Sequence, residues 1–236
     1  MDHIRHMDSS QTHNKAKPLV SIIILNYNGK NWLKRCLDSL FSQTLINNIE
    51  IIIADNASSD GSDTLSVELI APWPERARFV QNGANLGFCE GNNRGADFAK
   101  GDYLFFLNND TWLETDCMER LLAAVIKLNA DSGTPMVCNY EDNSFQSLGA
   151  KGFDIFGFMS TVPSKVSAGQ IFAAPGCSLL IRTHVFKRLG GFDSELFMYG
   201  DEVDLAWRLA LAGYKVVSIP QARLHHRSSA ASNPQG

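Results

Sequence analysis

The chain has 236 residues, 44% hydrophobic and 19% charged, with a formal net charge of -4 at pH 7. This is the composition of a globular protein long enough to bury a sizeable core, as one large domain or two small ones. It excludes a nucleic-acid partner, because there is no basic footprint, and a membrane span, because no apolar run approaches ~18 residues.

Residues 1–17, MDHIRHMDSSQTHNKAK, lack the apolar segment of a signal peptide and read as a disordered tail or an expression scar. His3, His6 and His13 are therefore set aside as ligands. VSIIIL (20–25) is the short β-branched run of a strand buried on both faces. NWLKRCLDSLFSQ (31–43) spaces its apolar residues helically. EIIIAD (50–55) is a second strand, GSDTLSVELIA (61–71) a helix closed by PWP, and RFVQN (78–82) a third strand. A helix falls within GFCEGNNRGADFAKG (87–101), a strand on DYLFFLN (102–108), and an amphipathic helix on ETDCMERLLAAVIKLN (114–129). The alternation predicts an α/β domain with a parallel sheet and right-handed crossovers.

Beyond residue 133 the regularity fades. TPMVCNY reads as a strand, and 140–170 as loops and short antiparallel strands; CSLLIR (177–182) is apolar again. THVFKRLGGF (183–192) is a short helix ended by glycine. DEVDLAWRLALAG (201–213) is a helix apolar nearly all round after its first turn, hence expected to be buried. YKVVSIP (214–220) is the last strand, leading to RLHHRSS and a polar tail at 231–236. Cys36, Cys89, Cys117, Cys138 and Cys177 are scattered and never form CxxC, which suits reduced, cytosolic thiols.

Ligands of open α/β sheets bind at the carboxyl ends of the strands. Those ends carry NYNG (26–29), DNASSDGS (55–62), NGANLGF (82–88) and NNDT (108–111). Any one of them reads as a turn, but four on one edge describe a polar crevice. Asp55 has two readings, an acceptor for a nucleobase or ribose, or an Asx-turn. Gly87, Gly91 and Gly95 share one helical face and admit either a ligand or tight packing. No GxGxxG or Walker A motif follows the first strand, which disfavours dinucleotide and ATP phosphate loops. Asp110 is a natural ligand for Mg²⁺ or Mn²⁺, with a diphosphate supplying further charge. Asp201, Glu202 and Asp204 exceed what the macrodipole of one helix needs. Asp204 pairs with Arg208 at i,i+4, which leaves Asp201 or Glu202 as a general base. His225 and His226 end the last strand as candidate ligands.

VSIIILNYNG, IIIADNASSDGS, NLGFCEGNNRG, LFFLNNDT, GGFDSELFMYGDEVDLAWR and the closing HH occur in the order seen in family 2 glycosyltransferases. The chain resembles their rhamnosyltransferase-like branch over about residues 18–230. The resemblance implies a GT-A fold, a Rossmann-like, mostly parallel sheet flanked by helices with a smaller mixed acceptor-side half. It divides the domain into a nucleotide-sugar half (18–112) and an acceptor and catalytic half (113–230). It implies inverting transfer from a UDP- or dTDP-sugar, with Mg²⁺ or Mn²⁺, to a saccharide or lipid-linked acceptor in cell-surface polysaccharide synthesis. The implied location is cytoplasmic, at the inner face of the membrane with peripheral association. By position, Asn26, Tyr27, Asp55, Asn56 and Asn85 line the nucleotide pocket. NNDT corresponds to the DXD element: Asp110 matches its metal-binding aspartate, Asn108 stands where relatives have the first Asp, and Asn109 lies between. His226 matches the histidine that closes the metal site, with His225 as alternate. Relatives read GEDVDL where this chain reads GDEVDL, so Glu202 holds the base position and Asp201 replaces the usual Glu; either can serve. The chain also ends soon after the histidines, where many relatives continue, which suits a fragment or one module of a larger protein.

Other classes fare less well. A sugar nucleotidyltransferase needs a basic, Gly-rich phosphate loop where NYNGKN offers only Lys30. A noncatalytic nucleotide- or carbohydrate-binding module has no use for the acidic pair, and an NAD-dependent oxidoreductase lacks the glycine fingerprint.

Overall fold

The computed structural model describes residues 17–153, 159–164 and 166–227. The tails expected at 1–17 and 231–236 lie outside these residues, Lys17 excepted. Strands β1 (Val20–Asn26), β2 (Ile49–Asp55), β3 (Ala77–Gln81) and β4 (Tyr103–Asn108) alternate with helices α1 (Lys30–Phe41), α2 (Ser62–Ile70) and α3 (Gly87–Asp97). The four strands form a parallel block in the order β3-β2-β1-β4. Successive side chains of β1 serve opposite layers, as strand geometry requires. Ile22 and Ile24 pack into the cluster holding Leu33 and Leu37 of α1, and Ile23 into the one holding Cys89 of α3.

β5 (Thr111–Leu113), α4 (Cys117–Lys127), β6 (Ser132–Asn139), β7 (Phe145–Ser147), β8 (Ala150–Phe153), β9 (Met159–Thr161), β10 (Gly169–Ile171), β11 (Ser178–Arg182), α5 (Thr183–Arg188), α6 (Asp201–Leu211) and β12 (Val216–His226) follow. β11 joins the halves by pairing antiparallel with both β4 and β6. The sheet then runs β10-β12-β6-β11-β4-β1-β2-β3, with β5 on β12, β7 on β6, and β8-β9 as a separate ribbon. The α/β expectation is met, and the sheet is mixed: its parallel pairings are the first block and β6–β12.

Register decides where polar residues meet. Asn26 pairs with Asp55, Leu25 with Asn108, and Asp55 with Gln81, so the carboxyl ends of the parallel strands finish level and their loops share one edge.

Two expectations are corrected. The apolar run at 214–220 is only the first part of the last strand, which continues past Pro220 to His226. Its pairing with β6 shifts register between Ile219 and Arg223, a bulge that accommodates a proline with no N–H to donate. Helix α6 is not buried all round: Leu205, Ala206 and Leu209 face the core, while Trp207 and Leu211 are 49% and 82% exposed. Among the described residues, no helix is long and apolar enough to cross a membrane. All five cysteines are buried and free.

The glycine face of α3 is a packing face. A Cβ at Gly95 would stand 2.6 Å from Ile23 Cγ2, and one at Gly91 2.5 Å from Leu25 Cδ1. Gly95→Ala is therefore expected to destabilise the fold by about 1–3 kcal/mol through overpacking, read as a lower midpoint in chemical denaturation. An unchanged midpoint would show that the helix shifts freely on the sheet.

Candidate active site

The first two strand ends form one hydrogen-bonded knot. Asn26 Nδ2 donates to Asp55 Oδ1 at 2.7 Å, Ser62 Oγ at 2.8 Å and Ser58 Oγ at 3.1 Å. Asp55 also accepts from the backbone N–H and hydroxyl of Ser58, an Asx-turn, and from Gln81 Nε2. Asn56 Nδ2 donates to Asn85 Oδ1 at 3.2 Å and to the Gly87 carbonyl at 3.0 Å, and its Oδ1 accepts from Asn82. Asn26, Asp55 and Asn56 are all buried, while Tyr27 beside them is half exposed. The polar atoms of the buried three are turned inward, where they shape the turns. Asn109 Nδ2 donates to Asn26 Oδ1 at 2.8 Å, which ties the loop after β4 to this knot.

Asp110 and His226 come together through β5. Thr111 pairs with His226, and the Arg227 N–H donates to the Asp110 carbonyl at 3.2 Å. His226 Nε2 then lies 3.4 Å from Asp110 Oδ1. That is long for a hydrogen bond, and this buried carboxylate oxygen has no hydrogen-bond partner. Burial disfavours the His226 imidazolium, but the Cys177 sulfur and the Asp110 carboxylate outweigh it and push the pKa up to about 10. His225 is not part of this arrangement. Alternation along the strand sends it to the other face, where Nε2 lies 3.7 Å from Glu114 Oε1.

Once a bound cation displaces the His226 proton, His226 Nε2 and Asp110 Oδ1 would form a donor set for a hard divalent cation, completed by other oxygens. No group of three or more His, Cys, Asp and Glu that could hold a metal occurs among the described residues. The chain therefore fits a cation only as a half-site. Asn108 contributes its backbone: the Thr111 hydroxyl donates to its carbonyl at 2.7 Å, and its N–H donates to the Cys177 carbonyl at 3.1 Å.

The acidic residues of α6 separate as the sequence suggested. Arg208 Nε donates to Asp204 Oδ2 at 2.9 Å, and Arg208 Nη1 to the carbonyls of Leu189 and Gly191, so Asp204 belongs to the scaffold. Asp201 and Glu202 follow Tyr199 and Gly200, both in the left-handed region at φ +69° and +84°. A Cβ built on Gly176 would meet Asp201 Oδ2 at 3.6 Å and Glu202 Oε2 at 3.7 Å, so the two carboxylates face one point of the wall. Asp201 is only 5% exposed. Burial first, and then the Glu202 charge, push its pKa up to about 7.

Asp201, Glu202 and His226 border one cavity of about 440 Å³, which Asn108 also lines and whose wall is otherwise mainly apolar, with residues such as Phe88, Ala174 and Met198; Asp110 reaches it only through His226. Sequence reading passed over these apolar residues. APGC (174–177) carried no polar signal, and Cys177 looked like one more scattered thiol.

The model of glycosyl transferase family 2 matches residues 21–190, most of the chain. The chain belongs to glycosyl transferase family 2. As a family 2 chain it is 32% identical to the putative glycosyltransferase EpsH of Bacillus subtilis, over 52% of its own length and 34% of that protein. It is 27% identical to the N-acetylglucosaminyl-diphospho-decaprenol L-rhamnosyltransferase of Mycobacterium tuberculosis, over 89% of its length and 76% of the relative. Its fold is that of GalNAc-T7 crystallised with UDP, GalNAc and Mn²⁺, with a TM-score of 0.77 at 21% identity, covering 89% of this chain and 43% of that one. The mannosyltransferase PcManGT from Pyrobaculum calidifontis, in complex with GDP-Man and Mn²⁺, gives 0.71 at 16% identity, over 92% and 59%.

Proposed function

We propose that this chain transfers a sugar from a nucleoside diphosphate sugar to an acceptor hydroxyl, with inversion at the anomeric carbon. The observation that carries the reading is one cavity lined by Asp201, Glu202 and His226, with Asp110 Oδ1 3.4 Å from His226 Nε2. Family membership and relatives named as glycosyltransferases support it.

Tyr27, exposed beside the buried knot, would meet the nucleoside. Asn26, Asp55, Asn56 and Asn85 hold the turns that surround it, with Asn108 and Asn109 placing the loop after β4. Asp110 Oδ1 and His226 Nε2 would hold Mg²⁺ or Mn²⁺, whose charge neutralises the departing diphosphate. Two neighbours by fold were crystallised with Mn²⁺ and with UDP or GDP-Man, which supports a cation of this kind. Glu202 accepts the acceptor's hydroxyl proton. The freed oxygen bonds to the anomeric carbon as the bond to the diphosphate oxygen breaks and takes its electron pair with it. Asp201, more deeply buried, tunes that base. The mainly apolar wall suits the C–H face of a saccharide, and the relatives' names favour a lipid-linked saccharide in polysaccharide synthesis. Such an acceptor would place the chain in the cytoplasm, in peripheral contact with the membrane that bears it.

A panel of UDP-, dTDP- and GDP-sugars with and without Mn²⁺ tests this, by binding heat and nucleoside diphosphate release. One nucleotide class should bind, and its release should require the cation. Failure of every donor to bind would overturn the reading.

A further inference from the structure

Asp110 and His226 depend on a ladder of three residue pairs, Leu113–Leu224, Trp112–His225 and Thr111–His226. β12 is also held by β6. β5 is an edge strand of three residues, too short to fix itself, and Asp110 lies immediately before it. Its aim depends on what packs across the ladder.

Alternation sends Thr111, Leu113, Leu224 and His226 to one face, and Trp112 and His225 to the other. On that second face the Trp112 and His225 rings lie parallel, with centroids 3.6 Å apart and 3° between planes. Arg35 of α1 sits 4.5 Å from the Trp112 ring and 4.4 Å from the Tyr140 ring, a cation between two aromatic faces. Tyr140 meets Trp32 edge-on at 5.8 Å, and Arg227, the residue after His226, lies 4.2 Å over Trp32. The stack thus starts at one end of the ladder and closes back on it. Along the way it ties both strands to α1, whose Ser39 hydroxyl also accepts from the Leu113 N–H at 3.1 Å.

Stability alone does not account for these residues. Both ring nitrogens of His225 and the indole nitrogen of Trp112 are buried without a hydrogen-bond partner, a cost that an aliphatic pair would avoid. Flat stacked rings supply a fixed separation of β5 from β12, and with it the relation of Asp110 to His226.

We propose that Trp112, stacked between His225 and Arg35, is a positioning residue that aims Asp110 and His226 at the cation and the donor diphosphate; this rests on the metal-pair reading above. The test is calorimetric binding of UDP, with GDP and dTDP in parallel, with and without Mn²⁺, to the full chain and its variants. Trp112→Leu should cut the Mn²⁺-dependent gain in nucleotide affinity by about tenfold or more and leave Mn²⁺-free affinity unchanged. Trp112→Phe, which keeps a stacked ring, should restore most of the gain. Arg35→Gln, at an exposed helix position, should lose part of it and carries the test if Trp112→Leu does not fold. Retention of the full gain in both Trp112→Leu and Arg35→Gln overturns the proposal, and so does an equal loss of Mn²⁺-free affinity, which marks general disorder. A wild-type chain that binds nucleotide without any Mn²⁺ gain overturns the metal-pair reading and the proposal with it.

Discussion

Glu202→Gln is expected to lose roughly 10²–10⁴ in turnover, the range a positioned general base supplies, while donor binding stays near wild type. Asp201→Asn should behave differently. Below pH 7 the buried Asp201 holds its proton, and its loss places a second negative charge beside Glu202. The new charge beside Glu202 should make wild-type turnover change as pH passes through about 7. In Asp201→Asn that inflection should vanish while much of the turnover at lower pH survives. If Asp201→Asn abolishes turnover at every pH and Glu202→Gln does not, the roles are reversed.

The same residue couples to stability. The folded pKa of Asp201 is raised from 3.8 to about 7, so the folded state binds more protons than the unfolded chain between those values. The stabilising contribution is complete below pH 3.8 and lost as pH rises through 7. It amounts to at most about 4 kcal/mol. Asp201→Asn should therefore raise Tm above pH 7 and change it little in acid. A wild-type Tm that climbs from pH 5 to pH 8 by virtue of this residue would contradict the assignment.

Asp110→Asn is the second large effect. The amide is isosteric but uncharged, and the chain offers only one imidazole beside it, so no other carboxylate compensates among the described residues. Loss of one stabilising charge in a site of this kind costs about 10²–10³ in turnover. The fold should lose the attraction of the Asp110 charge for the protonated His226 but no hydrogen bond to Asp110 Oδ1. Tm within a few degrees of wild type, with turnover lost and Mn²⁺ no longer strengthening nucleotide binding, is the expected pattern. Full Mn²⁺-dependent turnover in this variant would remove Asp110 from the cation site.

The parallel block was legible because strands buried on both faces need continuous apolar runs, and VSIIIL, EIIIAD and DYLFFLN have them. β5 was not: TWL is too short to show a period and is a strand only through a partner more than a hundred residues away. Pro220 pointed to a strand end, whereas pairing on either side of a bulge carries β12 through it. The acidic helix start and the NNDT cluster stood out as excess polarity at strand and helix ends. The inward turn of Asn26, Asp55 and Asn56 did not, because residue type says nothing of which amides face each other. Residue type alone does not choose between the adjacent histidines, although the resemblance favours His226: the pairing of β12 with β5 shows which one shares a face with Thr111. The exposed Trp207 and Leu211 show the limit of composition, since an apolar helix face need not be a buried one.

The proposed reaction is a single displacement at the anomeric carbon, with Glu202 taking the proton. The most direct measurement is proton NMR of the first-formed glycoside, made with a donor of known anomeric configuration. A single displacement gives a product of opposite configuration at that carbon; a product that retains the donor's configuration rules it out.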